Sequence, residues 1–296
     1  MLTAHPLRGV FFMLLSGFTF VLNDSMMKLA MVSLPPYEVL VLRGAAGAVF
    51  ALLLLRFGHA PVRLNMIGRA VLLRAGLEAV AILTYIIALA HAPIGDVTAI
   101  FQTTPLLVIL GMIFIHREAT AWLRLGLVVA GFAGALLVAQ PGQGTISPFV
   151  MLAFITAVFA ALRDLAARQI SSEVPAIFST LILIITVLAA AFVCGMLFEQ
   201  WHLPGPNLIA MTTGAGLMMM LGHHFTLLAY RNASAQAVAP FYYSFMLFAV
   251  ILGYVIFGDV PNLLGVFGMA IIMASGLAVL ALERRVNQDA YQHPDL

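Results

Sequence analysis

The side chains in this sequence able to carry chemistry are few, and most of them sit inside long apolar runs. Asp24 and Lys28 lie one helical turn apart, and Asp164 and Arg168 repeat that spacing later in the chain. Arg43, Glu78, Arg163, His223 and His224 are the other ionisable groups in such runs. An ionised group in hydrocarbon is expensive, so each of these must pair with another group or face a cavity. Glu78 lies about eight residues into its run, ~12 Å deep at 1.5 Å per residue. A carboxylate there is either a proton carrier that cycles between the membrane faces or half of a structural ion pair. Arg74 at i−4 and Arg163 at a compatible depth are both candidate partners. Recurrence of Asp24 and Lys28 as Asp164 and Arg168 favours paired clamps or gates, one near each face. Arg43 either snorkels to the boundary or neutralises Asp24. His223 and His224 point about 100° apart on a helix, so at most one faces a cavity, and a helix–helix hydrogen bond is the plainer role for either.

Uncharged polar and aromatic residues gather at helical spacing near these groups. Ser16, Phe20, Asn23 and Met27 share one face, and Tyr85 follows Glu78 by two turns. Thr98, Phe101, Gln102 and Pro105 form a second set, and Pro240, Tyr243 and Ser244, with Tyr242 beside them, a third. Proline inside a span frees backbone carbonyls that a cavity can use. The expected substrate-contacting set is therefore Asn23, Glu78, Tyr85, Thr98, Phe101, Gln102, Arg163, His223, Tyr243 and Ser244. Asp24, Lys28, Arg43, Asp164 and Arg168 form the expected gating or structural set. Ordinary interhelical packing is the alternative for any one of the hydroxyls. The sequence has no HExxH and no GxSxG, so neither a zinc hydrolase nor a serine hydrolase is indicated. Cys194 is the lone cysteine, which excludes an intrachain disulfide. No catalytic role, metal site or cofactor is expected.

The elements that hold these groups follow from composition. Of 296 residues, 63% are hydrophobic and 9% charged, against roughly 25% charged in soluble domains; the bilayer is the solvent. A ruler of about 20 apolar residues per crossing predicts ten spans, near 9–30, 38–57, 70–90, 94–115, 120–140, 148–168, 175–198, 207–230, 234–257 and 262–282. Continuous apolar runs without alternation exclude a β-barrel. With the N-terminus inside, the inner loops receive Arg8, Arg56, Arg63, Arg69, Arg74, Arg117, Arg124, Arg168, Arg231, Arg284 and Arg285, while the outer loops proper receive none of the 14 Lys and Arg. That asymmetry makes both termini cytoplasmic. Scattered basic residues offer no nucleic-acid surface, and no linker is long enough for a signalling domain.

The two halves look related. At an offset of about 140 residues Asp24 meets Asp164, Lys28 meets Arg168, Pro35 meets Pro175 and Phe101 meets Phe241. An odd number of spans per half forces the second half to enter from the opposite face, giving an inverted repeat of the kind found in secondary transporters. The predicted fold is an all-α membrane protein of ten transmembrane helices in two inverted five-helix repeats, 8–140 and 148–283, with a short cytoplasmic tail over 284–296.

Acidic residues end spans four and nine, and glycine-rich last helices read FIHREATAWLRLGLVVAGFAGALLV and VIFGDVPNLLGVFGMAIIMASGLAVL. This set resembles the drug/metabolite transporter superfamily, specifically the EamA-type ten-helix exporters, and looks closest to the YddG-like amino acid exporters. The resemblance covers about residues 8–283. It implies alternating access around a central cavity in the bacterial inner membrane and export of amino acids, drugs or other small metabolites. The expected cargo is an amino acid with an apolar or aromatic side chain, with proton coupling turning on Glu78. Transport of drugs, nucleotide sugars or sugar phosphates is the alternative, although a phosphorylated cargo would want several cavity-facing basic groups. An intramembrane enzyme is the remaining reading from another class.

Overall fold

The computed structural model describes residues 6–58, 66–115, 122–139, 147–167, 169–171, 174–233 and 238–292, and every regular element among them is helical. The first half holds α1 (Pro6–Ala30), α2 (Pro36–Gly58), α3 (Arg69–His91), a broken span of α4 (Ile94–Phe101) and α5 (Thr104–Ile115), and α6 (Trp122–Ala139). The second holds α7 (Pro148–Ala167), α8 (Ala176–Phe198) and α9 (Pro206–Asn232). It continues with a broken span of the 3₁₀ turn Ala239–Tyr243, α10 (Ser244–Leu252) and the π turn Gly253–Phe257, and closes with α11 (Leu263–Gln292).

Among the described residues six helices are long and apolar enough to cross a membrane, three shorter apolar stretches cover Leu125–Val138, Phe241–Phe257 and Leu263–Val279, and α9 adds a helix of 27 residues. These are the ten crossings of an all-α membrane protein. Prolines begin several of them, since a first-turn N–H has no helical partner to lose: Pro36, Pro148 and Pro206 open helices, and Pro93 and Pro175 precede α4 and α8. Helix α11 runs on to Gln292, past the boundary expected at 283.

Two spans break where the sequence places proline. Pro105 lacks the N–H that the Phe101 carbonyl would take in a continuous helix, and the Thr104 hydroxyl donates to that carbonyl instead at 2.6 Å. Thr103 similarly donates to the Ile100 carbonyl at 2.7 Å. Across the molecule the Gln102 amide donates to the Tyr242 carbonyl at 2.9 Å. The two breaks therefore face one another.

The main helix contacts recur when the halves are exchanged. Helix α1 packs on α9 and α3 on α7; α2 packs on α9 and α8 on α3; α5 packs on α7 and α10 on α1. The contacts α2 with α8 and α6 with α11 map onto themselves. This is the pattern of an inverted repeat about a pseudo-twofold axis. The last helices of the halves touch backbone to backbone: a Cβ on Gly134 would fall 2.7 Å from the Gly268 carbonyl oxygen, and one on Gly268 2.5 Å from that of Gly134. Buried Ile94, Ile100, Met246 and Ile272 fill the centre of the helix contacts around that seam.

Candidate functional site

Polar side chains from α1, α2, α3, α7 and α9 line up between the halves. Toward the outer end, Asp24 accepts hydrogen bonds from the Tyr85 hydroxyl at 2.6 Å and from the Asn23 amide at 2.8 Å. Deeper in, Glu78 receives Arg163 Nη1 at 2.5 Å, and Arg163 also donates from Nε to Asp164 at 2.9 Å. Arg74, the alternative partner for Glu78, donates to the Ser179 hydroxyl on α8 at 2.7 Å. Arg43 lies between the two groups, acting electrostatically on Asp24, Glu78 and Tyr85.

Rings wall this column. Phe20 meets the His223 ring edge-on at 4.9 Å and stacks with Phe245 at 5.6 Å, and Tyr242 lies 4.9 Å from Phe245. Tyr85 contacts Phe101 edge-on at 5.7 Å. Thr98, buried on α4, faces Tyr85. His223 is exposed although it lies well inside α9 and feels the charges of Glu78, Arg74, Arg163 and Arg43. Such a residue looks into a cleft.

One end of this column is bridged. Lys28 Nζ donates to the Ala92 carbonyl at 2.5 Å, lies 3.9 Å from the Asp259 carboxylate and sits 5.1 Å over the Phe257 ring. Asp259 is delivered there by the π turn, which ends in Gly258 at φ 71, a left-handed conformation that suits glycine. On the same side Glu199 accepts the backbone N–H groups of Tyr37 and Glu38, at 2.9 and 3.2 Å, at the start of α2. Carboxylates suit a helix N-terminus for that reason. Toward the other end access increases: the Glu78 side chain is 10% exposed, and that of Asp164 45%.

Several sequence expectations land elsewhere. Lys28 pairs with Asp259 and not with Asp24, because its long stem carries the ammonium outward to the boundary. Arg43 makes no ion pair among the described residues. Asp164 pairs with its neighbour Arg163; Arg168 lies outside the described residues. Tyr243 is 2% exposed, with its hydroxyl pressed against Gly276 of α11, so it packs into the helix seam and not along the column. The 3₁₀ turn explains this, since three residues per turn rotate the side chains away from the α-helical phase. Ser244 faces Gly17, whose Cβ position lies 3.0 Å from its hydroxyl. Phe245 in the wall and the latch position of Asp259 were not expected; Asp259 had a signal as the acidic residue that ends span nine, while Phe245 had none beyond an apolar run.

The arrangement can hold a small molecule that bears charges and an apolar part. No group of three His, Cys, Asp or Glu among the described residues is placed to hold a metal.

Comparison with known proteins agrees with this architecture. The chain is similar to the pseudopaline exporter of Pseudomonas aeruginosa, 28% identical with 92% of this chain and 95% of that one covered. It is 29% identical to the riboflavin transporter of Vibrio cholerae, covering 92% of each, and 23% identical to the S-adenosylmethionine uptake transporter of Rickettsia prowazekii, covering 94% of each. By their names these relatives handle pseudopaline, riboflavin and S-adenosylmethionine, and none of the three is named as an amino acid exporter. A solved crystal structure, 20% identical, superposes with a TM-score of 0.63 over 91% of this chain and 98% of that one, which shows the shared fold. The EamA-like transporter family matches residues 7–140 and again 147–281. This chain belongs to the EamA-like transporter family, and it is a multi-pass membrane transporter of small metabolites.

Proposed function

We propose that this transporter exports amino acids, chiefly those with apolar or aromatic side chains, and related amino-acid-derived metabolites across the bacterial inner membrane by alternating access. The observation that carries the reading is one interhelical column holding charges of both signs beside aromatic rings, bridged by Lys28 and Asp259 at one end and more exposed toward Asp164. A zwitterion needs both charges satisfied at once, and an aromatic or apolar side chain needs rings to lie against. Asn23, Glu78, Tyr85, Thr98, Phe101, Gln102, Arg163, His223 and Ser244 are the proposed lining or its direct support. The repeats are proposed to span 8–140 and 148–283.

Counterflow in liposomes tests this reading. Labelled L-phenylalanine, L-leucine, riboflavin, S-adenosylmethionine and a nucleotide sugar are offered with and without a pH gradient. Saturable exchange of the amino acids supports the proposal; exchange of riboflavin or the nucleotide sugar alone overturns the cargo while leaving the transporter. Concentration of cargo by a pH gradient that Glu78→Gln abolishes, with exchange retained, assigns proton coupling to Glu78.

A further inference from the structure

Arg43 is the anomalous charge of this molecule. It is 6% exposed, sits in the outer part of α2, and its Nε is sealed with no hydrogen-bond partner. No carboxylate among the described residues lies within ion-pair distance of it. The two anions it feels are already engaged: Asp24 by Tyr85 and Asn23, Glu78 by Arg163. A buried guanidinium left this way is costly, and proteins keep such a group where something else completes it.

The fold does not need a charge at this position. The residue at the matching place in the second half is Leu183, buried in an apolar cluster with Leu181, Ile184 and Val187. Helices α2 and α8 pack against each other about the pseudo-twofold axis, so the same helical position is filled once by leucine and once by arginine. Packing alone accounts for the first. The backbone at Arg43 is packed closely against α9: a Cβ on Gly216 would fall 2.8 Å from the Arg43 carbonyl oxygen.

We infer that Arg43 is the carboxylate-receiving residue of the transport site, and that the cargo is defined by carrying a carboxylate which this guanidinium takes. A planar fork of donors matches a carboxylate in a way that lysine's point charge does not. The inference rests on the amino-acid reading above and narrows it: an uncharged solute such as riboflavin leaves Arg43 unpaired and is rejected, because a site built to pair a group discriminates against analogues lacking it.

Two measurements on the purified full-length protein separate this from the cargo reading. The first is thermal stabilisation in detergent by L-phenylalanine, 3-phenylpropionate and their carboxamides; the second is counterflow of L-phenylalanine and riboflavin. Wild type is expected to be stabilised by both acids at concentrations at least tenfold below those needed for the amides. Arg43→Gln is expected to lose that preference while binding the amides as before, and Arg43→Lys to recover part of it. Equal loss of acids and amides in Arg43→Gln, or acid preference that survives in it, overturns the inference, as does a wild type that never prefers acids. Should Arg43→Gln fail to fold, Arg43→Lys carries the test alone, and an undiminished acid preference there overturns the bidentate role. Acid preference without phenylalanine counterflow overturns the cargo reading and leaves Arg43 as the carboxylate site.

Discussion

Arg163 of α7 donates to Glu78 of α3 at 2.5 Å, so one ion pair joins the two halves of the chain in the interior of the bundle. The symmetric contact between α1 and α9 has no such pair: at the matching places stand Asn23 and Met218. Packing follows the repeat, whereas charge departs from it. A pathway that must present one chemistry to a small asymmetric molecule has reason to break the symmetry of its walls.

Removing one partner of this pair strands a charge in low dielectric. Arg163→Leu and Glu78→Leu are each expected to cost about 3–5 kcal/mol, and the double variant less than the sum. Unfolding in mixed detergent micelles checks this through a double-mutant cycle; additivity would show that the two side chains act independently.

Tyr85→Phe removes the 2.6 Å hydrogen bond to the Asp24 carboxylate and keeps the ring contact with Phe101. The expected destabilisation is about 1.5–3 kcal/mol, the range for bonds to charged groups. The same unfolding assay reads it, and Phe101→Leu serves as the comparison that loses the ring and keeps the bond.

Glycine at 134 is required by contact and glycine at 126 is not. A Cβ at Gly134 meets the Gly268 backbone, while one at Gly126 meets nothing within 4 Å, on the same helix. Gly134→Ala is expected to destabilise by about 1–3 kcal/mol through overpacking, and Gly126→Ala to be neutral or slightly stabilising, since alanine favours helix. Thermal midpoints of the two variants compare directly.

Lys28 and Asp259 hold the outer end together by way of a turn that ends in a left-handed glycine. With Cys194→Ala as background, Lys28→Cys and Asp259→Cys joined by a short bifunctional thiol reagent are expected to stop counterflow. A cleavable reagent restores it on reduction. Unimpeded counterflow after complete crosslinking would show that this end does not open during transport.

Much of the architecture was legible in the chain itself. Ten apolar runs, prolines at their starts, basic residues on one side and matches at an offset near 140 determine the crossings, the orientation and the inverted repeat. They do so because each is a local or additive property: hydrocarbon thickness sets length, the missing N–H of proline sets breaks, and loop charge sets topology. Pro105 and Pro240 marked the broken spans for this reason. What the sequence left open was direction. Helices that are apolar almost all round carry little sign of which face meets lipid and which meets a partner, so Lys28 could not be assigned to Asp259 over Asp24, nor Glu78 to Arg163 over Arg74. Tyr243 left the wall for the helix seam, and Phe245 stands in the wall instead, because a 3₁₀ turn shifts the phase of the helix it starts. Only tertiary packing brought α1, α2 and α3 together around Arg43 and left its Nε without a partner among the described residues, since burial and pairing depend on contacts between different helices.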